Sequence, residues 1–392
     1  MATPRTERPL RPRTVLLGLL ALALNLRAAL AGYPPLLETA RTGLGVTSAA
    51  AGLVQTGAVL MMAVGSLAGA AAGERIGRER ALTAALTLVA AGSLVRGAPT
   101  LPALIGGSLL VGFGIGVAGA LLAGVVKQRL ASRAGAVTGG YVVAMMVGST
   151  IAGAAAVPMA VALGGWSASL AVWAVPALLA VAVWAPVARR AGPGEPAART
   201  RLPWRDPFAR LAAAYLAGSS LLVYGWLTWL SPYYESRGWA PEAAGLLVAV
   251  WSIAHVPSAL AVPALAERRR RWRFWAGATL AVITVGTLGV LLAPEPPVVG
   301  PWLWVVLIGL GAGAGFPLGL AVIAWRTPDG AAGAAVSGMA MGVGYTVAGL
   351  GPLLMGLLID LTGGFGAAVG VLLGAAALQA VAILRIGDPP RG

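Results

Sequence analysis

Twelve stretches of this chain are long and apolar enough to cross a bilayer, which takes about 20 mostly apolar residues each. They fall at 14–36, 47–72, 81–98, 101–126, 134–162, 165–187, 208–231, 241–266, 273–293, 300–325, 331–359 and 365–385. No other feature restricts the fold as strongly. In lipid every backbone polar group must be satisfied within the protein, and consecutive apolar runs of this length do so as helices. The first run is read as a span and not a cleaved leader, because it is too long, contains Arg27 and lacks a small-residue cleavage site.

Composition agrees where it bears on this reading. Hydrophobic residues make up 58% and charged residues 10% of the 392 residues, with mean hydropathy +0.84. A soluble domain carries about 25% charged residues, so lipid must be the solvent for much of this surface. The 56 glycines suit helices that approach closely in a membrane. The absence of cysteine and the single histidine, His255, exclude thiolate chemistry and argue against a zinc site. We expect no cofactor and no metal.

The charges orient the layout. Of the 28 basic residues, all but Arg27, Arg41, Arg96 and Arg237 fall in segments on one side if both termini are cytoplasmic. Positive residues resist translocation, so both termini are expected in the cytoplasm of a bacterial inner membrane. The net charge of +15 is then directed at anionic headgroups and not at nucleic acid.

The chain is also duplicated. Glu74, Arg75, Arg78 and Arg80 after span two reappear as Glu267, Arg268, Arg271 and Arg273 after span eight, each 193 residues on. Gly112, Gly114, Gly116 and Arg129 of span four reappear as Gly309, Gly311, Gly313 and Arg326 of span ten, each 197 residues on. Gly140-Tyr141 of span five resembles Gly344-Tyr345 of span eleven. A Pro-, Gly- and Arg-rich stretch at 188–207 reads as a cytoplasmic linker between a bundle at 1–187 and a bundle at 208–392. The expected fold is an all-α membrane protein of twelve transmembrane helices in two pseudo-symmetric six-helix bundles. Such repeats characterise secondary transporters, whose sites lie near the midplane between the repeats. No paired carboxylates, metal cluster or nucleophile–base pair lies at membrane depth, so an enzyme is not expected. A small-molecule substrate, with protons as a candidate co-substrate, and a monomeric state are expected.

Arg27 stands out among single residues. It lies about 13 residues into span one, roughly 20 Å from that span's start at about 1.5 Å per residue. Arginine that deep costs at least about 2.5 kcal/mol and usually faces a cavity or a partner. No Asp or Glu falls in the middle of a span. A substrate could therefore supply the negative charge, or backbone carbonyls and water could satisfy the guanidinium. His255 lies mid-span beside Pro257; it could bond substrate, carry a proton, or be neutral and bonded to a neighbouring helix. Ser220, Tyr224, Thr228 and Ser231 share one face of span seven. Thr138, Tyr141, Met145 and Ser149 line span five, and Ser337, Met341 and Tyr345 line span eleven. Gln55 is an isolated amide in span two. These polar positions face either a cavity or another helix.

The segment Glu74-Arg75-Ile76-Gly77-Arg78-Glu79-Arg80 resembles the loop between spans two and three of the major facilitator superfamily. That resemblance implies gating by Glu74, Arg75, Gly77 and Arg78, with the acid locking the cytoplasmic face. Glu267 and Arg268 belong to a second copy, degraded because Arg270 stands where the glycine would be. Asn25-Leu26-Arg27, Tyr224-Gly225-Trp226-Leu227, the run Ser337 to Tyr345, Gly351-Pro352 and Asp360-Leu361-Thr362-Gly363-Gly364 further resemble the cyanate and 2-nitroimidazole transporter family. This likeness implies alternating-access transport of a small anion or a small nitro or carboxylate compound. A multidrug or nitroaromatic efflux carrier of the same fold is the alternative. Candidate substrate contacts are Arg27, Tyr224, His255, Tyr141, Tyr345, Ser220, Thr228, Gln55 and Asn25.

Overall fold

A computed structural model describes residues 12–129, 134–190, 202–269 and 271–387. Most of the expected linker, Arg270 and the chain ends lie outside the described residues. The described chain is helical, with no strand among the described residues. Span one is α1 (Pro12–Ala31), a 3-10 turn (Pro34–Leu36) and α2 (Leu37–Leu44). Spans two to five are α3 (Ser48–Ile76), α4 (Arg78–Val95), α5 (Leu101–Arg129) and α6 (Ala134–Ala162). Span six is split into α7 (Trp166–Val172) and α8 (Ala174–Arg189). Spans seven to twelve are α9 (Pro207–Glu235), α10 (Pro241–Arg269), α11 (Trp272–Leu292), α12 (Trp302–Arg326), α13 (Gly330–Thr362) and α14 (Gly366–Ile386).

Among the described residues, eleven helical stretches contain an apolar run long enough to cross a membrane, and α4 is the twelfth helix of the layout. Its apolar stretch is short because Arg78, Glu79 and Arg80 occupy its first turn. Span one departs from the expected 14–36. Its helix ends at Ala31 because Tyr33-Pro34-Pro35 follows, and proline both lacks an N–H and disfavours helix in the residue before it. The break frees carbonyls, and Arg96 answers one of them. Its Nη2 donates to Ala29 O at 2.9 Å. Arg96, placed among the outside-loop cations by the charge pattern, is thus 2% exposed and drawn into the bundle.

The packing repeats between the halves. In the first, α5 packs on α3 and α4, α1 on α6, and α4 on α8. In the second, α12 packs on α10 and α11, α9 on α13, and α11 on α14. The duplicated glycines explain the match. A methyl at Gly112 or Gly116 would overlap the Ala58 or Met62 carbonyl of α3; one at Gly309 or Gly313 would meet the Trp251 or His255 carbonyl of α10. Small residues at these crossings let the backbones touch.

Across the halves, α3 packs on α13 and α6 on α10. At the end where α3 begins, Asp360 accepts from Ser48 N at 2.9 Å and Ala49 N at 2.8 Å. A carboxylate there satisfies orphan N–H groups and the positive end of the helix dipole. About two turns further in, Leu353 N donates to Thr56 Oγ1 at 3.0 Å and Trp229 Nε1 to Pro352 O at 3.1 Å. A methyl at Gly52 would meet Pro352 O, and one at Gly356 would meet Ser48 O. This end of the molecule is sealed by direct backbone packing.

Candidate functional site

Arg27 projects from α1 toward the other half. Its Nη1 donates to Tyr224 Oη at 3.4 Å, and the guanidinium carbon lies 5.6 Å from the centre of the Tyr224 ring. Nε is buried with no hydrogen-bond partner. Among the described residues no carboxylate pairs with Arg27. Arg27 and Tyr224 stand 197 residues apart, the separation that relates span four to span ten. The duplication therefore brings a cation and a phenol face to face between the halves.

The Tyr224 hydroxyl accepts from Arg27 and donates to Met62 Sδ of α3 at 3.8 Å. Its ring meets Tyr345 of α13 edge-on at 6.4 Å. Tyr345 in turn stacks on Phe316 of α12 at 6.4 Å, with 22° between the ring planes. Cation and aromatic wall thus come from α1, α9, α12 and α13. Arg27 lies close enough for its charge to act on Tyr345 and on His255.

His255 stands 193 residues after Met62, the separation relating the duplicated loops. Its Nδ1 is 2.7 Å from Trp251 O, one turn back on α10. A carbonyl only accepts, so in the neutral ring Nδ1 holds the proton and Nε2 keeps a lone pair. Nε2 is buried without a partner, and the ring sits 4.2 Å from that of Trp251. The histidine is thus bonded within its own helix and not to a neighbouring one.

The other expected contacts fall less centrally. Asn25 is two residues, about 200° of helix, from Arg27, and its amide donates to Ala21 O at 2.8 Å. Thr228 is fully buried and donates to Tyr224 O at 2.7 Å. Both groups bond their own helix, a habit of short polar side chains. Ser220 is buried on α9, and Gln55 is buried with Nε2 unpartnered. Tyr141 is half-buried and pairs with Thr138 on α6, with no bond to Arg27 among the described residues.

At the loop after α3, Gly77 adopts φ 87°, which L side chains disfavour; it ends α3 and starts α4 without an intervening residue. Arg78 lies along α5 at Gly124, Arg75 is exposed and Glu74 is half-buried. The buried acid is Glu79, a residue the loop resemblance did not single out; the Trp184 indole donates to its backbone carbonyl at 3.0 Å. In the second copy Glu267 and Arg268 are exposed. Asp360 was legible only as an acid near a span end; its role depends on α3 lying beside it.

A polytopic bundle of two repeats, with a charged and aromatic site between them and one end sealed, defines the class of polytopic membrane transporters. The chain belongs to the Major Facilitator Superfamily, which its residues 15–308 match. It is 33% identical over 350 residues to the 2-nitroimidazole transporter of Escherichia coli (strain K12), covering 88% of both chains. It is 30% identical over 356 residues to the cyanate transport protein CynX of the same strain, covering 90% of this chain and 91% of that one. Among solved structures, a bacterial homologue of the lysosomal transporter Spinster matches with TM-score 0.77 at 16% identity, covering 97% and 99% of the two chains. The D-xylose-proton symporter matches with TM-score 0.72 at 13% identity, covering 95% and 97%. These two establish the fold alone. The chain is a multi-pass membrane transporter, and its family and relatives are transporters and not enzymes.

Proposed function

We propose that this transporter moves a small planar anion or nitro compound across the bacterial inner membrane by alternating access, with Arg27 binding the substrate's oxygen edge. The observation that carries the proposal is the Arg27 guanidinium, set mid-way along an apolar span with Nε unpartnered and no carboxylate beside it among the described residues. Guanidinium stays charged and offers a planar fork of donors to carboxylate, nitro or cyanate groups. The names of two relatives, a 2-nitroimidazole transporter and a cyanate transporter, fall within that chemistry. The aromatic wall of Tyr224, Tyr345 and Phe316 favours a flat ring, so a nitroaromatic cargo is the second reading. In this reading the sealed Asp360 end faces outward, both termini are cytoplasmic and the protein works as a monomer. His255 is the candidate proton carrier, being the one titratable imidazole near Arg27.

Binding of cyanate and of 2-nitroimidazole to purified protein by calorimetry tests the proposal. Arg27→Ala removes charge-assisted bonds of about 1.5–3 kcal/mol, which is roughly 10- to 150-fold in affinity. Arg27→Lys remains impaired because an ammonium lacks the fork. Wild-type affinity in both variants would abolish the anion reading and leave the carrier without an assigned cargo.

A further inference from the structure

A groove of about 860 Å³ runs down the outside of the first bundle between α4 and α8, far from the central site in its chemistry and its helices. Arg80, Thr83, Ala84, Thr87 and Leu88 of α4 form one wall; Ala185, Ala188 and Arg189 form the other. Spacings of three and four residues put each set on a single helix face. Small side chains on both walls leave the trough open. The threonines add little polarity, because Thr83 donates to Glu79 O at 3.1 Å and Thr87 to Thr83 O at 3.0 Å. Their methyl groups continue the apolar floor.

Polarity is concentrated at one end. Arg80 lies in the first turn of α4 and Arg189 is the last residue of α8, so both cap the groove at the same face of the bundle. Both are exposed, and among the described residues neither is ion-paired. From Arg80 to Leu88 the floor runs about 12 Å at roughly 1.5 Å per residue. Exposed Leu178, Leu179 and Val183 extend the lipid-facing side of α8 beyond it.

We propose that this groove holds one anionic phospholipid from the surrounding leaflet, with its phosphate bridged by Arg80 and Arg189 and an acyl chain along Ala84, Leu88 and Ala185. Two guanidiniums at headgroup level, above a trough whose threonine hydroxyls donate within their own helix, match a lipid with a charged head and an apolar tail. A soluble phosphate would use the cations and leave the trough empty.

The full-length protein, reconstituted in nanodiscs of phosphatidylcholine with a minor fraction of phosphatidylglycerol and then released into detergent, can be weighed by native mass spectrometry. Wild type is expected to retain phosphatidylglycerol over phosphatidylcholine. Arg80→Gln with Arg189→Gln should lower that retention about tenfold or more, since each cation near an anionic surface contributes to it. Arg80→Lys with Arg189→Lys should preserve it. Ala84→Leu, at an exposed position, fills the trough without altering charge and should also reduce it. Arg205→Gln with Arg210→Gln, the same change of two charges at exposed positions around the start of α9, should have no effect. Melting curves confirm that each variant is folded; if the glutamine pair melts early, Ala84→Leu alone decides. Equal retention of the two lipids by wild type, or phosphatidylglycerol retained undiminished by the folded glutamine and Ala84→Leu variants, overturns the proposal.

Discussion

Arg27 and Tyr224 meet through a long hydrogen bond, 3.4 Å, and a cation over a ring. Tyr224→Phe removes the hydroxyl and keeps the ring. It should therefore cost substrate affinity only a few-fold, on the order of one hydrogen bond of about 1 kcal/mol, and far less than Arg27→Ala. Calorimetry on the two variants side by side checks this order. Arg27 was legible in one dimension because a charge inside an apolar run is visible wherever the run folds. Its partner was not, because Tyr224 lies in the other half and only the pairing of the repeats brings it near. Asn25 and Thr228 show the opposite limit. Their polarity is plain in the sequence, yet each bonds a carbonyl one turn back on its own helix. Spacing gives the face a side chain occupies, and the rotamer then decides whether its polar atom points outward or along the helix.

At the scale of helices, the repeated glycines and the Asp360 cap make separate predictions. Gly112→Ala drives a methyl into the Ala58 carbonyl, and Gly119→Ala meets nothing. The first should destabilise by about 1–3 kcal/mol, as overpacking does. The second should be neutral, or stabilising by up to about 1 kcal/mol, because alanine is the better helix former. Melting in detergent separates the two. Asp360→Ala removes the cap on α3 and should weaken the seal between α3 and α13 by about 1–2 kcal/mol. The chain has no native cysteine, so Thr42→Cys and Ser236→Cys place spin labels uniquely on the two halves. Their separation should lengthen in the Asp360→Ala background; an unchanged distance distribution would remove the latch role. The glycines were visible as a repeat, and their partners required the crossing geometry of α5 on α3. The early stop of α1 followed from Tyr33-Pro34-Pro35 only in hindsight, since proline can also kink a membrane helix without ending it.

For the molecule as a whole, alternating access requires the interface between α6 and α10 to open and close. Ser149 and Ser252 touch across it, Oγ to Oγ at 2.8 Å. Ser149→Cys with Ser252→Cys should form a disulfide under oxidation, since the two side-chain tips already touch, and stop flux in liposomes; reduction should restore it. Flux that continues in the fully cross-linked protein would argue against rocking at this interface. A duplicated chain of twelve membrane-crossing helices and one misplaced cation can be read in one dimension, because hydrocarbon thickness, backbone satisfaction and the cost of a buried charge act on a linear segment without reference to its neighbours. That Arg27 faces Tyr224, that Arg96 turns inward to Ala29, that Asp360 caps α3 and that α4 and α8 leave a groove emerges only when the helices pack. Each of these depends on the distance between atoms hundreds or tens of residues apart, and close packing of the two bundles sets those distances.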